Sequence, residues 1–299
     1  MRTLVVGAGA TGGYFGGRLL QAGRDVTFLV RPGRAARLAE RGLRIKGQAV
    51  LHPETTVTGT YDLVLLAVKS YSLESALADL APSVGPRTVI IPLLNGMRHV
   101  EAMTGAFGPE RAWGGVCMIH ATLDGEGDIV QMTGLHRLAF GPLDGGPDDR
   151  LEAVTATLTG AGFDARASSS ILHEMWEKWV LLATLGAATT LMRASIGAIN
   201  AAPGGAAFGQ ALAAEAIAVA TAAGHAPRPK ALAMLETAIS TTEPTTSSMY
   251  RDLSQGLPVE ADAIIGDMVA EAARHGVATP LLSAAYTGLS IYSASRGSP

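Results

Sequence analysis

Apolar positions in the first part of the chain fall in short runs separated by glycine, proline and polar clusters, whereas beyond residue 170 they recur at helical spacing. Thr3-Leu4-Val5-Val6 predicts a strand, followed by a glycine turn and an amphipathic helix that Gly23 ends as a C-cap. Asp25 to Val30, Asp62 to Val68 and Thr88 to Leu94 read as further buried strands, and Leu43 to Thr58 as irregular, edge-type strands. Val116 to Gly141 predicts a hairpin turning at Leu123 to Ile129, expected to close the sheet rather than carry chemistry. After a Gly/Pro-rich loop, Gly141 to Asp149, come a helix over about 150–160 and a short strand around Phe163-Asp164-Ala165. Ser168-Ser169-Ser170 suits both a domain boundary and a helix N-cap. Ala-rich helices are then expected near 170–192, 205–223, 228–240, 260–274 and 280–292, with Ser293 to Pro299 frayed. The pattern predicts an α/β, doubly wound Rossmann domain over 1–167 and an all-helical domain over 168–299.

Gly7-Ala8-Gly9-Ala10-Thr11-Gly12 sits between the first strand and the first helix. There the first glycine permits a tight turn, the second lets backbone amides approach a pyrophosphate, and the third lets helix and strand pack closely. The helix N-terminus adds its positive dipole end, so the six residues form a candidate dinucleotide site. At the end of the second strand, where NAD sites usually carry an acidic residue ~20 positions on, the chain has Arg31 and Arg34. A guanidinium forks onto a 2′-phosphate, which predicts NADP(H); the bland alternative is a pair of solvated helix-start arginines. Lys69 follows the third strand, where ligands of such sheets gather, although alone it reads as an ordinary surface lysine. Asn95-Gly96 ends the fourth strand, its amide placed for the nicotinamide ribose or a substrate, or simply for a turn.

At 299 residues the length suits two domains, and the composition is globular, with 48% hydrophobic and 16% charged residues. A net charge of −3 gives no electrostatic footprint for nucleic acid, so a small-molecule partner is expected. The single Cys117 excludes an internal disulfide framework, reads as a buried apolar residue and suits a reducing cytoplasm. The glycine motif beginning at Gly7 leads us to expect no secretory leader, and no apolar run is expected to be long enough to cross a bilayer.

Two further charges stand out in the helical half. In Leu172 to Leu182, Trp176, Val180 and Leu181 form a core stripe while Lys178 points elsewhere. Its spacing alone favours a snorkelling or Glu174-paired surface lysine. Glu260 opens a later helix, where it complements the dipole. His173-Glu174-Met175-Trp176-Glu177 nearly spells a zinc-protease motif, but Glu177 stands at the second histidine position, and no metal site is expected.

The order and separation of these short pieces resemble the ketopantoate reductases (2-dehydropantoate 2-reductases) across nearly the full length. The matching residues are Gly7 to Gly12, Arg31, Val68-Lys69, Asn95-Gly96, Phe140-Gly141-Pro142, Met175-Trp176-Glu177-Lys178, Ser247-Ser248-Met249 with Asp252, and Glu260 with Asp262. The resemblance implies a Rossmann domain followed by a helical domain like that of 6-phosphogluconate dehydrogenase, with the active site in the cleft between them. It implies NADPH-dependent reduction of ketopantoate to pantoate, as in pantothenate and coenzyme A biosynthesis, in the cytoplasm, and leaves a homodimer open. Lys178 corresponds to the catalytic acid that protonates the ketone oxygen, and Glu260 to the acid that holds the substrate hydroxyl. Ser248 corresponds to a carboxylate-binding hydroxyl, and Lys69, Asn95 and Arg31 to cofactor contacts, with Asn95 also facing substrate. The polar loop from Ser240 to Ser248 then faces substrate.

One departure bears on the substrate. The family pattern places asparagines where this chain has Leu182, Gly186 and Ile196, none of which makes a side-chain hydrogen bond. A more apolar 2-oxo acid, another ketone or an imine is therefore the alternative substrate, and an NADPH-binding sensor without turnover is the non-enzymatic alternative.

Overall fold

The computed structural model describes residues 1–297. The chain divides into two compact units, Met1–Leu94 with His99–Leu172, and Asn95–Arg98 with the chain from His173 onward.

In the first unit β1 (Thr3–Val6), β2 (Val26–Leu29), β3 (Tyr61–Leu66) and β4 (Val84–Pro92) form a parallel sheet in the order β2-β1-β3-β4. Side chains alternate across it. Val5, Phe28, Leu63, Leu65, Val89 and Ile91 pack with Tyr14, Phe15 and Leu19 of α1 (Ala10–Gln21). Leu4, Val6, Val64, Leu66 and Ile90 pack on the other face with Leu73, Leu77 and Leu80 of α3 (Leu73–Leu80) and Met103 of α4 (Arg98–Phe107). Burial of both faces explains the unbroken apolar runs, each large side chain contributing about 1.5–3 kcal/mol. Between β2 and β3 come α2 (Pro32–Arg41) and the irregular stretch, which reaches the outer side of β2, where the Phe28 amide donates to the Glu54 carbonyl at 2.8 Å. Because the chain runs from β1 to β2 on one side and places β3 on the other, the carboxyl ends of β1 and β3 flank a topological switch point.

The hairpin differs from its expected role. β5 (Trp113–Leu123) and β6 (Ile129–Pro142) pair antiparallel, and β7 (Asp164–Ala167) joins β6 in parallel, making a separate three-stranded sheet. The Ile90 amide donates to the Arg111 carbonyl at 2.8 Å, forming a bridge between β4 and the approach to β5. Two residues on, Pro92 has no N–H with which to continue that ladder. Trp113, Leu138, Phe140 and Cys117 still join the core beneath α1, together with Val154 and Leu158 of α5 (Leu151–Leu158).

The second unit is helical: α6 (Ile171–Met192), α7 (Ile196–Ala201), α8 (Gly205–Ala222), α9 (Pro229–Ile239), α10 (Ser248–Ser254), a π-helical turn (Asp262–Gly266), α11 (Asp267–Arg274) and α12 (Pro280–Ser295). Two short helices were not anticipated. Ser195 caps α7 by accepting from the Ala198 amide, and Ser247 caps α10 by accepting from the Tyr250 amide at 3.0 Å. The polar loop therefore gives way to a helix at Ser248. α8 is long and apolar enough to cross a membrane by length and composition, with mean hydropathy 1.3, contrary to the expectation that no such run exists. Here it buries Leu212, Ala216 and Val219, while Glu215 accepts from the amides of Leu281 and Leu282 at 2.9 Å and caps α12. Residues 293–295 are helical rather than frayed, because α12 continues to Ser295; Ser298 and Pro299 lie outside the described residues.

Candidate active site

The glycine turn has the geometry its three glycines predict, and each serves a different purpose. Gly7 adopts φ +96°, and a β-carbon there would stand 2.8 Å from the Ala67 carbonyl oxygen at the end of β3. A β-carbon on Gly12 would collide with the Gly7 carbonyl and stand 2.7 Å from the Ala67 β-carbon, so close helix–strand packing excludes a side chain. Gly9 differs: a β-carbon would meet nothing within 4 Å, leaving open space over the start of α1. That end of α1 carries no side-chain cap and no acidic residue, which suits an anion at its first-turn amides. The open face at Gly9 and the uncapped amides together fit a dinucleotide pyrophosphate.

Cationic groups gather beside this turn. Arg31, in extended conformation at the N-cap of α2, donates from Nη2 to Ser72 Oγ at 3.0 Å, linking the end of β2 to the segment after β3. Arg34 donates from Nε to the carbonyl of Ala8, inside the glycine turn, at 3.2 Å. Burial and then the neighbouring Arg37 charge lower the Arg34 pKa, partly offset by Asp128; the guanidinium stays charged in a neighbourhood that favours an added anion. Lys69 is exposed beyond β3 and precedes the tight turn Ser70–Ser72.

In the helical unit two segments, Asn95–Arg98 and α6, meet the π-helical turn and the start of α11. Asn95 is half-buried, and Gly96 adopts φ +76° with its α-carbon pressed so closely on the Ala263 carbonyl that a β-carbon would collide with it. Arg98 forks onto Asp267, its Nε 3.0 Å from Oδ2. From α6, the Trp179 indole donates to the Ile264 carbonyl at 2.8 Å. Asn95, the α6 turn bearing Lys178, and the turn that begins at Glu260 are thus tied through adjacent residues. Lys178 is 8% exposed and Glu260 7%, both buried charged groups. The spacing of α6 alone favoured a surface lysine for position 178, and the structure corrects that reading: Lys178 lies among the packed residues Met175, Val180 and Leu181 in sequence, all buried. Charged groups at such burial are retained with polar partners or for chemistry.

Ser248 is exposed as the first residue of α10, whereas its neighbour Ser247 lies 2.7 Å from Thr189 Oγ1 on α6. Leu182 is half-buried, and Ile196 is buried with its amide donating to the Thr245 carbonyl. A β-carbon on Gly186 would stand 2.7 Å from Met249 Cε, so a methionine from α10 fills the space beside it. Glu177 accepts from the Arg228 amide at 2.9 Å and from its Nε at 2.8 Å. Among the described residues no group of histidine, cysteine and carboxylate side chains is arranged to hold a metal ion. Trp179 and Ser72 carry no mark in the local sequence because each acts through a long-range partner; for Trp179 the available signal is an indole one residue from a charged position on a core helix.

Models described as "Ketopantoate reductase PanE/ApbA" and "Ketopantoate reductase PanE/ApbA C terminal" match residues 3–145 and 170–292. An uncharacterized oxidoreductase, YkpB of Bacillus subtilis (strain 168), is 37% identical over 99% of this chain and 100% of its own length. The crystal structure of 2-dehydropantoate 2-reductase from Geobacter metallireducens GS-15 is 28% identical, with TM-score 0.87, over 97% of this chain and 99% of that one. A D-mandelate dehydrogenase solved with NADH and anilino(oxo)acetate shares the fold at TM-score 0.87 and 23% identity, over 99% of each chain.

Proposed function

This chain belongs to the ketopantoate reductase PanE/ApbA family and is an oxidoreductase, and we propose that it reduces 2-dehydropantoate to pantoate with NADPH, a step of pantothenate and coenzyme A biosynthesis. The observation that carries the reading is the pair of buried charges, Lys178 and Glu260, on turns joined through Trp179 and Ile264.

Gly7 to Gly12 would hold the cofactor pyrophosphate over the open face of Gly9, with Arg31 at the 2′-phosphate and Lys69 and Asn95 at the remaining polar groups. When bound there, NADPH would supply a hydride for the carbonyl carbon. The Lys178 ammonium gives its proton to the ketone oxygen, and its charge favours the negative charge that develops there. Burial strengthens that effect, because few waters compete for the ammonium. Glu260 accepts from the substrate hydroxyl and fixes the ketone in line with Lys178, while Ser248 and Asn95 bind the remaining polar groups of the substrate. The arginine at position 31, where NAD sites carry an acid, supports NADPH over NADH. NADPH oxidation measured across a panel of 2-oxo acids, ketopantoate first, tests the assignment; turnover on none of them rejects it in favour of a sensor.

A second reading, reduction of a more apolar 2-oxo acid by the same residues, is favoured by one observation. Leu182, Gly186 and Ile196 offer no side-chain hydrogen bond, and Met249 fills the space beside Gly186. A site lacking such groups discriminates weakly for a substrate hydroxyl. A higher kcat/KM for an aliphatic or aromatic 2-oxo acid than for ketopantoate selects this reading.

A further inference from the structure

Trp179 follows Lys178 on α6, is 3% exposed, and places its indole nitrogen 2.8 Å from the Ile264 carbonyl. Ile264 lies one turn beyond Glu260, and its own amide donates to the Glu260 carbonyl at 3.2 Å. One buried side chain therefore runs from the Lys178 turn to the Glu260 turn. The carbonyl just before, that of Ala263, is the one against which Gly96 is pressed, next to Asn95. Both carbonyls belong to the π-helical turn Asp262–Gly266, a wider winding than the α-helix that recurs at functional positions. Packing alone would be served by any large apolar ring at position 179, whereas a buried indole N–H requires an acceptor and so fixes direction as well as volume.

We propose that Trp179 is a positioning residue for the reduction: its N–H, held by the Ile264 carbonyl, sets the Lys178 ammonium and the Glu260 carboxylate in register at the ketone. The proposal rests on the reading that those two groups act on the substrate. Without the bond, the two turns lose their shared restraint and the Ile264 carbonyl loses a partner in a buried setting.

The test replaces Trp179 in the full chain by phenylalanine and, separately, by benzothienylalanine, which keeps the bicyclic shape and removes the donor. Misplacement of catalytic groups by an ångström costs up to about 100-fold in rate, and a fall of kcat of roughly tenfold or more is expected in both proteins. The Kd for NADPH stays unchanged, and the pH profile of kcat changes shape, as proton donation to the misplaced ketone becomes the step that limits the rate. A merely structural tryptophan would lower Tm but leave kcat and its pH profile as in the wild type below the melting range, and that result overturns the proposal. Should Trp179→Phe fail to fold, the benzothienylalanine protein decides by the same criteria. Lys178→Ala separates the two levels: wild-type turnover in that variant defeats the functional reading itself, while its loss alongside unaffected position-179 variants defeats the role of Trp179 alone.

Discussion

Arg31 reaches Ser72, with Nη2 3.0 Å from Oγ, so that the end of β2 and the segment after β3 share one hydrogen bond beside the glycine turn. In the proposed function this guanidinium contacts the 2′-phosphate, each charge-assisted bond contributing about 1.5–3 kcal/mol. Arg31→Ala is expected to raise the KM for NADPH by roughly tenfold or more while leaving that for NADH unchanged. Ser72→Ala should move the same ratio in the same direction by less. Steady-state kinetics with both cofactors check this, and an unchanged NADPH preference in Arg31→Ala contradicts it.

Gly9 and Gly12 of the turn predict opposite outcomes for the same substitution. Gly9→Ala adds a methyl to open space and should leave Tm close to the wild-type value, while weakening NADPH binding strongly if the pyrophosphate sits where the proposed function puts it. Gly12→Ala drives a methyl into the Gly7 carbonyl and should lower stability by about 1–3 kcal/mol, the usual cost of overpacking. Thermal melts with and without NADPH distinguish them: a large ligand-induced rise in Tm for Gly9→Ala would show that the open face is not the anion site.

Acid sensitivity follows from two ion pairs and one histidine. Burial alone would raise the Glu177 carboxyl, but the hydrogen bonds from the Arg228 side chain and amide outweigh it and hold the group below its ordinary value. Arg150 hydrogen bonds do the same for Asp148, against an opposing desolvation. A carboxyl depressed in the folded state is protonated first in the unfolded chain, so its stabilisation is present above about pH 4.3 and is lost as pH falls through the folded pKa. His225 is lowered by burial first and then by His173, against Glu271. The unfolded chain therefore protonates that imidazole first, and its contribution is lost as pH falls below about 6.5. Denaturation midpoints should decline gently from about pH 6.5 and steeply near pH 4. Glu177→Gln should lower the neutral plateau and flatten the steep limb, and His225→Asn should remove the gentle one.

Much of the fold was legible because its signals are local. β1, the glycine turn and α1 follow from a short β-branched run and three glycines, and α6, α8, α9 and α12 from helical periodicity bounded by glycine and proline. What was not legible depends on distant partners. The hairpin forms its own sheet because β4 ends at Pro92, and Asn95–Arg98 packs within the helical unit through Ala263 and Asp267, a placement with no mark in the local sequence. The shortness of α7 and α10 hid them, although Ser195 and Ser247 stood at their caps. Burial of Lys178 was likewise invisible to spacing, since its neighbours on α6 predict direction but not what packs above them.

Glu260 carries a separate expectation. Glu260→Gln keeps the shape of a buried group, 7% exposed, while removing its charge. It should raise the KM for the 2-oxo acid and lower kcat/KM by about 10- to 100-fold, the range of a lost hydrogen bond to a charged group, with NADPH binding unaffected. Fluorescence titration with NADPH and initial rates over substrate concentration separate the two effects.

The central claim, that a buried ammonium protonates the ketone, is tested most directly by single-turnover NADPH oxidation in wild type and Lys178→Ala, with the best 2-oxo acid from the substrate panel. The account predicts a hydride-transfer rate about 100- to 10,000-fold lower in the variant, with NADPH affinity unchanged. An equal rate in both proteins would contradict it.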